Sequence, residues 1–487
     1  MVLAAVATAR LAVLFLSPIE LYPDEAQYWA WSRTLDWGYF SKPPMVAWLI
    51  AASTGVGGDA EAWVRLPAWA CQTLAGGFVF LAGRRLFDAR IGFWAAVLYA
   101  LAPGVGLSSA VASTDAPLLL FLSAATWLYA GLIQTRSLRW AAGLGLALGL
   151  ATLSKYAAAY FVIGLAAHAL LSSDGRRAWS PMRLAAAFAV FALCLAPNLI
   201  WNLVNGLDTV RHTAGNADWN LRDLFHPLDA LEFFGSQFGL LGPIPFAALL
   251  VAGAGLALTR RRPPEERLAL WCLLAPPLVL VMLQALLSRA NANWAAAFLP
   301  PAAILAASHL AQGGALRTTA LALALGSQLV LAAVMSAAAV SPAVADAVGL
   351  SNGLKRARGW ADTSEAIRAQ VAASRPLSAI AVDDRFLFNA VRYYGRQWLN
   401  APGAPPLRAW VREVEAQSEA ESAAPLTAAD GARVLAVSAR PDFRAEFRAA
   451  FARAAAGEDL AIPLDRRRTR DLQVFVGEGF SGRPTAP

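Results

Sequence analysis

This chain has little charge for its length. Only 15% of its 487 residues are Asp, Glu, Lys or Arg, against about 25% in an average soluble protein. Cysteine occurs three times, at Cys71, Cys194 and Cys272, each inside an apolar run. None falls in the polar C-terminal part, which excludes a disulfide framework there; the three read as small apolar residues. Histidine occurs four times. His168 and His309 lie in or at the ends of apolar runs, while His212 and His226 share a polar stretch. Their spacing is not diagnostic of zinc; a carboxylate–histidine metal site in the stretch of His212 and His226 stays open, and with it a divalent metal as cofactor. The chain also lacks a P-loop, a GxSxG and an HExxH, so no signature marks nucleotide, serine-hydrolase or zinc-protease chemistry.

What is present is mostly apolar. Hydrophobic residues make up 57% of the chain and the mean hydropathy is +0.47. Several apolar runs reach roughly 18 residues, the length of a membrane span. They are rich in Ala, Leu and Gly without alternation, which favours helices over a barrel. Spans are expected near 2–19, 60–82, 91–107, 114–133, 139–153, 156–171, 184–203, 238–259, 268–287, 293–311 and 316–340. The fold class expected is therefore an all-α polytopic membrane protein of about 11 transmembrane helices. The first run lacks a small-residue cleavage site and reads as a retained span, with Arg10 facing other helices.

The net charge of +8 does not point to nucleic acid, because the arginines cluster between spans. Arg84, Arg85 and Arg90; Arg136 and Arg139; Arg176, Arg177 and Arg183; and Arg260, Arg261, Arg262 and Arg267 fill four alternate short loops. Basic short loops face the cytoplasm. Asp24, Glu25, Lys42, Asp115, Lys155, residues 204–237 and the tail are then expected on the outer face. Residues 1–345 are expected to form the membrane domain, with a first outer loop at about 20–59. Residues 346–487 read as a soluble α/β domain: "GWADTSEAIRAQVAAS", "RFLFNAVRYYG" and "PDFRAEFRAAFARAAA" as helices, "SAIAVDD", "ARVLAVSA" and "DLQVFVGEGF" as strands, "APGAPPL" as a loop.

The outer face carries the candidate chemistry. In "YPDEAQYWAW" a carboxylate, Asp24 ahead of Glu25, suits a general base that takes a proton from a hydroxyl; the same pair could merely cap a helix. The aromatics Tyr28, Trp29 and Trp31 read as an interfacial belt. Lys42 stands before two prolines, which argues for a fixed turn rather than a free tether. Lys155, in "LATLSKYAAAYF", sits between two apolar runs with no acidic residue close in sequence. A lysine there is expensive unless it meets an anion, and two such lysines suggest a lipid phosphate. Asp115, before a proline at the start of a span, reads equally as a cap or a site residue. Arg289, Asn291, Asn293 and Trp294 offer donors and an aromatic for a sugar, and read equally as part of an interfacial belt.

These stretches together, "YPDEAQYWAWSRTLDWGYFSKPPMVAWLI", "RLPAW", "STDAPLLLF", "LSKYAAAY" and "NLIWNLVNG", resemble the bacterial polytopic glycosyltransferases of the GT-C fold. These are similar to protein O-mannosyltransferases and to the lipid A aminoarabinose transferases. The resemblance covers about the first 300 residues. It implies an inverting enzyme of the inner membrane that moves a sugar from a polyprenyl monophosphate to a hydroxyl of a lipid, glycan or protein in the periplasm. It implies Asp24 as the base, with Glu25 beside it, Lys42 and Lys155 as donor-phosphate ligands, and Tyr39 as a substrate contact. The sequence departs from the aminoarabinose transferases at Gln27, where they have arginine, and at Ser41, where they have glutamate. The main rival reading is a transporter or lipid flippase, which would place polar residues at mid-membrane; a membrane-bound scaffold is the second.

Overall fold

The computed structural model describes residues 1–215, 218–219, 224–413 and 416–482. Parts of the expected outer loop, 216–217 and 220–223, and of the expected C-terminal domain, 414–415 and 483–487, lie outside the described residues. The chain divides into two compact units, Met1–Leu16 with Asp36–Ala337, and Ser17–Leu35 with Ala338–Pro487. The expected first outer loop is thus split between them, and the second unit begins earlier than residue 346.

The helices up to residue 340 are α1 (Val2–Leu16), α2 (Pro23–Trp31, in the second unit), α3 (Met45–Gly57), α4 (Glu61–Leu86), α5 (Ala89–Leu101), α6 (Pro103–Ala110), α7 (Asp115–Thr135), α8 (Leu138–Ser154), α9 (Ala159–Leu171), α10 (Ser173–Ala178), α11 (Pro181–Val204), α12 (Asp208–Gly215), α13 (Pro227–Leu241), α14 (Pro243–Thr259), α15 (Glu265–Leu287), α16 (Leu299–Leu310) and α17 (Ala315–Val340). Local sequence sets several starts. Asp88 accepts from Ile91 N at 2.8 Å ahead of α5, and Ser180 precedes Pro181 as the cap of α11.

Every expected span overlaps one of these helices. Among the described residues, five are long and apolar enough to cross a bilayer alone: α4, α7, α11, α15 and α17. Up to seven qualify if α5–α6, bent by 59°, and α13–α14, bent by 117°, each count as one span. The other expected spans fall on shorter helices. The sharper break follows from Gly242 and Pro243. Gly242 adopts φ +104, and a Cβ there would lie 2.3 Å from Gln328 Nε2. Gln328 in turn donates to Leu241 O at 2.7 Å, holding a carbonyl that the break releases.

Helix α16 is buried almost all round, from Leu299 through Ser308, as an internal helix should be. Helices α11 and α17 do the opposite. Phe188, Leu193 and Ile200 on α11 and Leu323, Leu329 and Val330 on α17 are exposed. Such apolar outer faces suit lipid, and the chain is a multi-pass membrane protein.

The second unit is a small α/β domain. Its strands are β1 (Ala379–Val382), β2 (Leu407–Ala409), β3 (Arg433–Ser438), β4 (Phe451–Ala456), β5 (Leu460–Pro463) and β6 (Thr469–Phe480). Its further helices include α18 (Pro342–Ala347), α19 (Ser351–Leu354), α20 (Trp360–Ala373) and α21 (Arg385–Tyr394). The sheet runs β2-β1-β3-β6-β4, with β5 also on β6. β1 is parallel to β2 and β3, while β6 is antiparallel to β3, β4 and β5. β1 is wholly buried and β3 nearly so, which explains their continuous apolar runs. The helix expected over "PDFRAEFRAAFARAAA" stops at Ala449, and "FARAAA" forms β4. Ala and Arg favour helix, but Phe451 packs edge-on against Phe475 at 5.8 Å, and pairing with β6 overrides the propensity.

The segment Ser17–Leu35 is built into this domain. Glu20 accepts from Trp360 N at 2.5 Å and Ala361 N at 3.0 Å. It thereby caps α20, whose own N-cap, Gly359, has no side chain to do so. Leu21 N donates to Tyr394 Oη at 2.8 Å. Trp29 meets Tyr393 edge to face at 4.9 Å. Tyr28, Trp29 and Trp31 are 8%, 5% and 2% exposed, so the expected interfacial belt is instead domain core; their bulk is buried against protein.

Candidate functional site

The residues singled out in the sequence fall into two groups, one in each unit. In the first unit they gather around Lys155. Helix α8 ends at Ser154, and Lys155 takes an extended conformation (φ −162, ψ 134) before a 3-10 turn at Tyr156–Ala158 leads into α9. One residue thus breaks two apolar helices. Its Nζ donates to Asp115 Oδ1 at 2.6 Å. Asp115 is the first residue of α7, behind Thr114, and is 6% exposed. Its other oxygen, Oδ2, accepts from Asn293 Nδ2 at 2.6 Å. Asp115 is therefore an ion-pair partner, and its carboxylate is aimed at side chains forty and more residues away. The partner that the neighbourhood of Lys155 lacks in sequence is supplied by the fold.

Lys42 lies in a loop pinned to α11 and α12. Asn198 Nδ2 donates to Trp37 O at 2.6 Å, and Thr209 Oγ1 donates to Tyr39 O at 2.6 Å. Tyr39, 5% exposed, closes the turn by donating its N–H to Lys42 O at 3.1 Å. Gly38 must be glycine here, because a Cβ would lie 2.4 Å from the Trp201 ring. Asn198 also accepts from Tyr156 Oη at 3.0 Å, and Asn202 Nδ2 donates to that same hydroxyl at 3.2 Å. One buried pair of asparagines, a turn apart on α11, thus ties the Lys42 loop to the residue after Lys155. These asparagines are functional candidates that stand in "NLIWNLVNG", where the resemblance gives them no role of their own; their signal is two amides at i and i+4 inside an otherwise apolar span.

In the second unit the focus is Asp24. Helix α2 is buried at its other eight residues, while Asp24 is exposed. Glu25 is fully buried and accepts from Tyr22 N at 2.9 Å, which makes it the helix cap. Asp24 instead lines a cavity of about 310 Å³ with Tyr22, Asn352, Lys355, Arg356 and Phe386. Arg385 Nη2 stands 3.9 Å from Asp24 Oδ1. Burial pushes the nearby Glu20 carboxyl above its usual range, against the pull of its two backbone N–H donors.

The remaining sequence candidates divide. Asn293 joins Asp115, whereas Arg289 pairs with Asp218 at 3.3 Å on an exposed surface. Asn291 precedes the 3-10 turn that holds Asn293, and Trp294 packs partly buried on the membrane-unit core. Among the described residues, no group of three or more His, Cys, Asp or Glu is arranged to hold a metal ion.

Against this geometry the similarities are informative. The family model for dolichyl-phosphate-mannose-protein mannosyltransferases matches residues 41–201, a stretch that includes Lys42, Asp115, Lys155 and Asn198 and leaves Asp24 outside. The chain is 40% identical over 292 residues to the lipid A galacturonosyltransferase RgtD of Rhizobium johnstonii. That match takes in 59% of this chain and 60% of RgtD, so the chain spans about three fifths of that relative. The fold is that of ArnT from Cupriavidus metallidurans. The apo structure of ArnT agrees with a TM-score of 0.67 at 17% identity, over 99% of this chain and 98% of that one. The structure bound to undecaprenyl phosphate agrees at 0.65 and 15%, over 99% of each.

Proposed function

We propose that this chain, which resembles the GT-C glycosyltransferases in sequence and fold, is an inverting glycosyltransferase of the bacterial inner membrane. It moves a sugar from a polyprenyl monophosphate to a hydroxyl on a lipid A-type glycolipid at the periplasmic face. The acceptor class follows RgtD, and a galacturonosyl donor is the first to test for the same reason. The observation that carries the reading is Asp24, an exposed carboxylate on a cavity wall in a helix that is otherwise buried.

The chemistry runs in one displacement. The acceptor oxygen attacks the anomeric carbon from the face opposite the phosphate. Its proton passes to Asp24 as the new C–O bond forms. The bond from the anomeric carbon to the phosphate oxygen breaks, and polyprenyl phosphate leaves with one more negative charge. Lys42 and Lys155 stabilise that charge. Asp115, with Asn293 on its second oxygen, orients Lys155. Asn198 and Asn202 position the Lys42 loop through Trp37 O and Tyr156.

The test is to incubate membranes holding the chain with polyprenyl-phosphate galacturonic acid and a lipid A acceptor. Release of free polyprenyl phosphate, dependent on acceptor and on the chain, is expected. Donor that crosses or redistributes in the bilayer without being cleaved would instead identify a flippase.

A further inference from the structure

The second unit leaves few large apolar side chains in the open. Among its described residues these are Leu35, Val348 and Leu350. Leu35 stands where the chain returns to the first unit. Val348 and Leu350, 45% and 40% exposed, follow α18, which a single residue, Ser341, separates from α17. Helix α17 is long and apolar enough to cross a bilayer, and chain reach keeps Asp346 within roughly 20 Å of its end at Val340. Ser17, the residue after α1, donates its hydroxyl to Ala339 O at 2.8 Å, so two connections enter the domain side by side. Ser351 Oγ donates to Asp346 Oδ1 at 2.6 Å and closes 346–351 into a loop that carries both apolar side chains.

An arginine tip borders this loop. β4 and β5 pair with successive stretches of β6, so the three strands form one long hairpin that turns at 464–468. Leu464 N donates to Arg468 O at 2.9 Å, and Arg467 N donates to Asp465 Oδ1 at 2.8 Å, which fixes the turn. Arg468 Nη1 donates to Asn352 Oδ1 at 3.2 Å, and Arg470 Nη1 donates to Gly359 O at 2.9 Å, tying the hairpin to the segment after the loop. Bonds from Ser351 and Arg358 hold the Asp346 carboxyl below its usual range, and Arg466 adds its charge to them, so Arg466 reaches the loop's other end. The side chains of Arg466 and Arg467 are exposed and make no hydrogen bond or ion pair among the described residues.

We infer that this hairpin tip and the 346–351 loop form a binding site for anionic phospholipid of the bilayer, with Val348 and Leu350 entering the headgroup boundary and Arg466 and Arg467 meeting the lipid phosphates. Apolar side chains beside arginines are the composition that holds a segment at a lipid surface. Guanidinium groups suit phosphate because their forked donors match its oxygens. A merely solvated turn would account for the arginines and leave the two exposed apolar side chains, next to a membrane span, without a reason. The site needs only that α17 crosses the bilayer, and holds whether or not the chain transfers a sugar.

The test titrates the purified full-length chain, in neutral detergent, with fluorescent phosphatidylglycerol and with fluorescent phosphatidylcholine. Wild type is compared with the double variants Arg466→Gln/Arg467→Gln and Arg466→Lys/Arg467→Lys, and with Val348→Ser/Leu350→Ser, each checked by thermal melt. Each arginine near a lipid surface is worth about fivefold, so the Gln pair should lose roughly 30-fold in phosphatidylglycerol affinity and leave phosphatidylcholine unchanged. The Lys pair should keep most of the preference, and raising the salt should weaken it in wild type. The Ser pair should weaken both lipids alike. A Gln pair that binds phosphatidylglycerol as wild type does overturns the assignment, and so does a preference that salt leaves intact. Loss of the preference in the Lys pair as well would show that shape rather than charge is at work, and overturns it too. Unlabelled polyprenyl phosphate and lipid A serve as competitors. Displacement of phosphatidylglycerol by either at far lower concentration than by phosphatidylglycerol itself would make the tip a substrate contact and reject the bilayer as its partner.

Discussion

Replacing Lys155 perturbs one charged contact with two separable consequences. In the folded protein Lys155 Nζ meets Asp115 Oδ1 at 2.6 Å, with the two side chains 20% and 9% exposed. Removing one partner of a largely buried pair leaves the other charge uncompensated, which costs about 3 kcal/mol or more. Asn293 still donates to Asp115 Oδ2, so a folded protein is expected with a lowered melting temperature. The second consequence concerns the donor. A charge-assisted bond to phosphate contributes about 1.5–3 kcal/mol, so Lys155→Ala should weaken donor affinity about 10- to 150-fold. Turnover should fall as well, because the leaving phosphate gains charge in the transition state. Lys155→Arg should rescue only in part, since a planar fork replaces a compact point charge. Asp115→Asn separates the roles: it keeps an acceptor for Nζ while removing the charge, and should shift stability more than affinity. Donor titration with purified proteins, alongside thermal melts, reads both. A folded Lys155→Ala protein with unchanged donor affinity would show that this lysine only joins α7 to the α8–α9 break.

Further outcomes follow from other contacts. Asn198→Ala removes the donor to Trp37 O and the acceptor of Tyr156; donor KM should rise about tenfold with a smaller change in kcat, and Asn198→Asp should not restore it, as it lacks the N–H. Glu25→Gln should cost stability, about 1 kcal/mol from a weakened cap, and spare turnover far more than a change at Asp24. Burial pushes the Glu419 carboxyl up to about 7, with the Trp31 indole and Arg392 pulling it down in part. Between its ordinary value near 4.5 and 7 the folded domain holds a proton that the unfolded chain has released. Stability is therefore full at low pH and lost as pH rises through that window, by up to about 3 kcal/mol. Melts from pH 4.5 to 8 should show this decline, and Glu419→Gln should flatten it; an unchanged slope in the variant would discard the assignment.

Much of the architecture is legible in the sequence, and the exceptions have physical causes. Apolar runs long enough for lipid announce themselves, and the buried parallel strands β1 and β3 read as continuous apolar stretches because both faces are covered. FARAAA misleads because its residues prefer helix while its place beside β6 is fixed by distant pairing. The aromatics of "QYWAW" mislead for a related reason. Trp and Tyr suit a membrane interface as well as a core, and only the contact with Tyr393 decides between them. Asp24 and Lys155 stand out locally as polar residues in costly surroundings. The pairings do not: Asp115, legible only as a cap or a site residue, lies forty residues before Lys155, and Arg385, with Lys355 and Arg356 on the same cavity, lies more than three hundred after Asp24. In the sequence those arginines and lysines look like any solvated charge of a soluble domain.

In the proposed glycosyl transfer Asp24 takes the acceptor proton. The most direct measurement is the single-turnover rate of polyprenyl phosphate release by purified Asp24→Asn, with donor affinity measured on the same preparation. Asparagine keeps the size and the hydrogen bonding and loses the basicity. A rate lower by about two to four decades is expected, with donor affinity retained. Near wild-type release by Asp24→Asn would contradict it and move the base to another carboxylate.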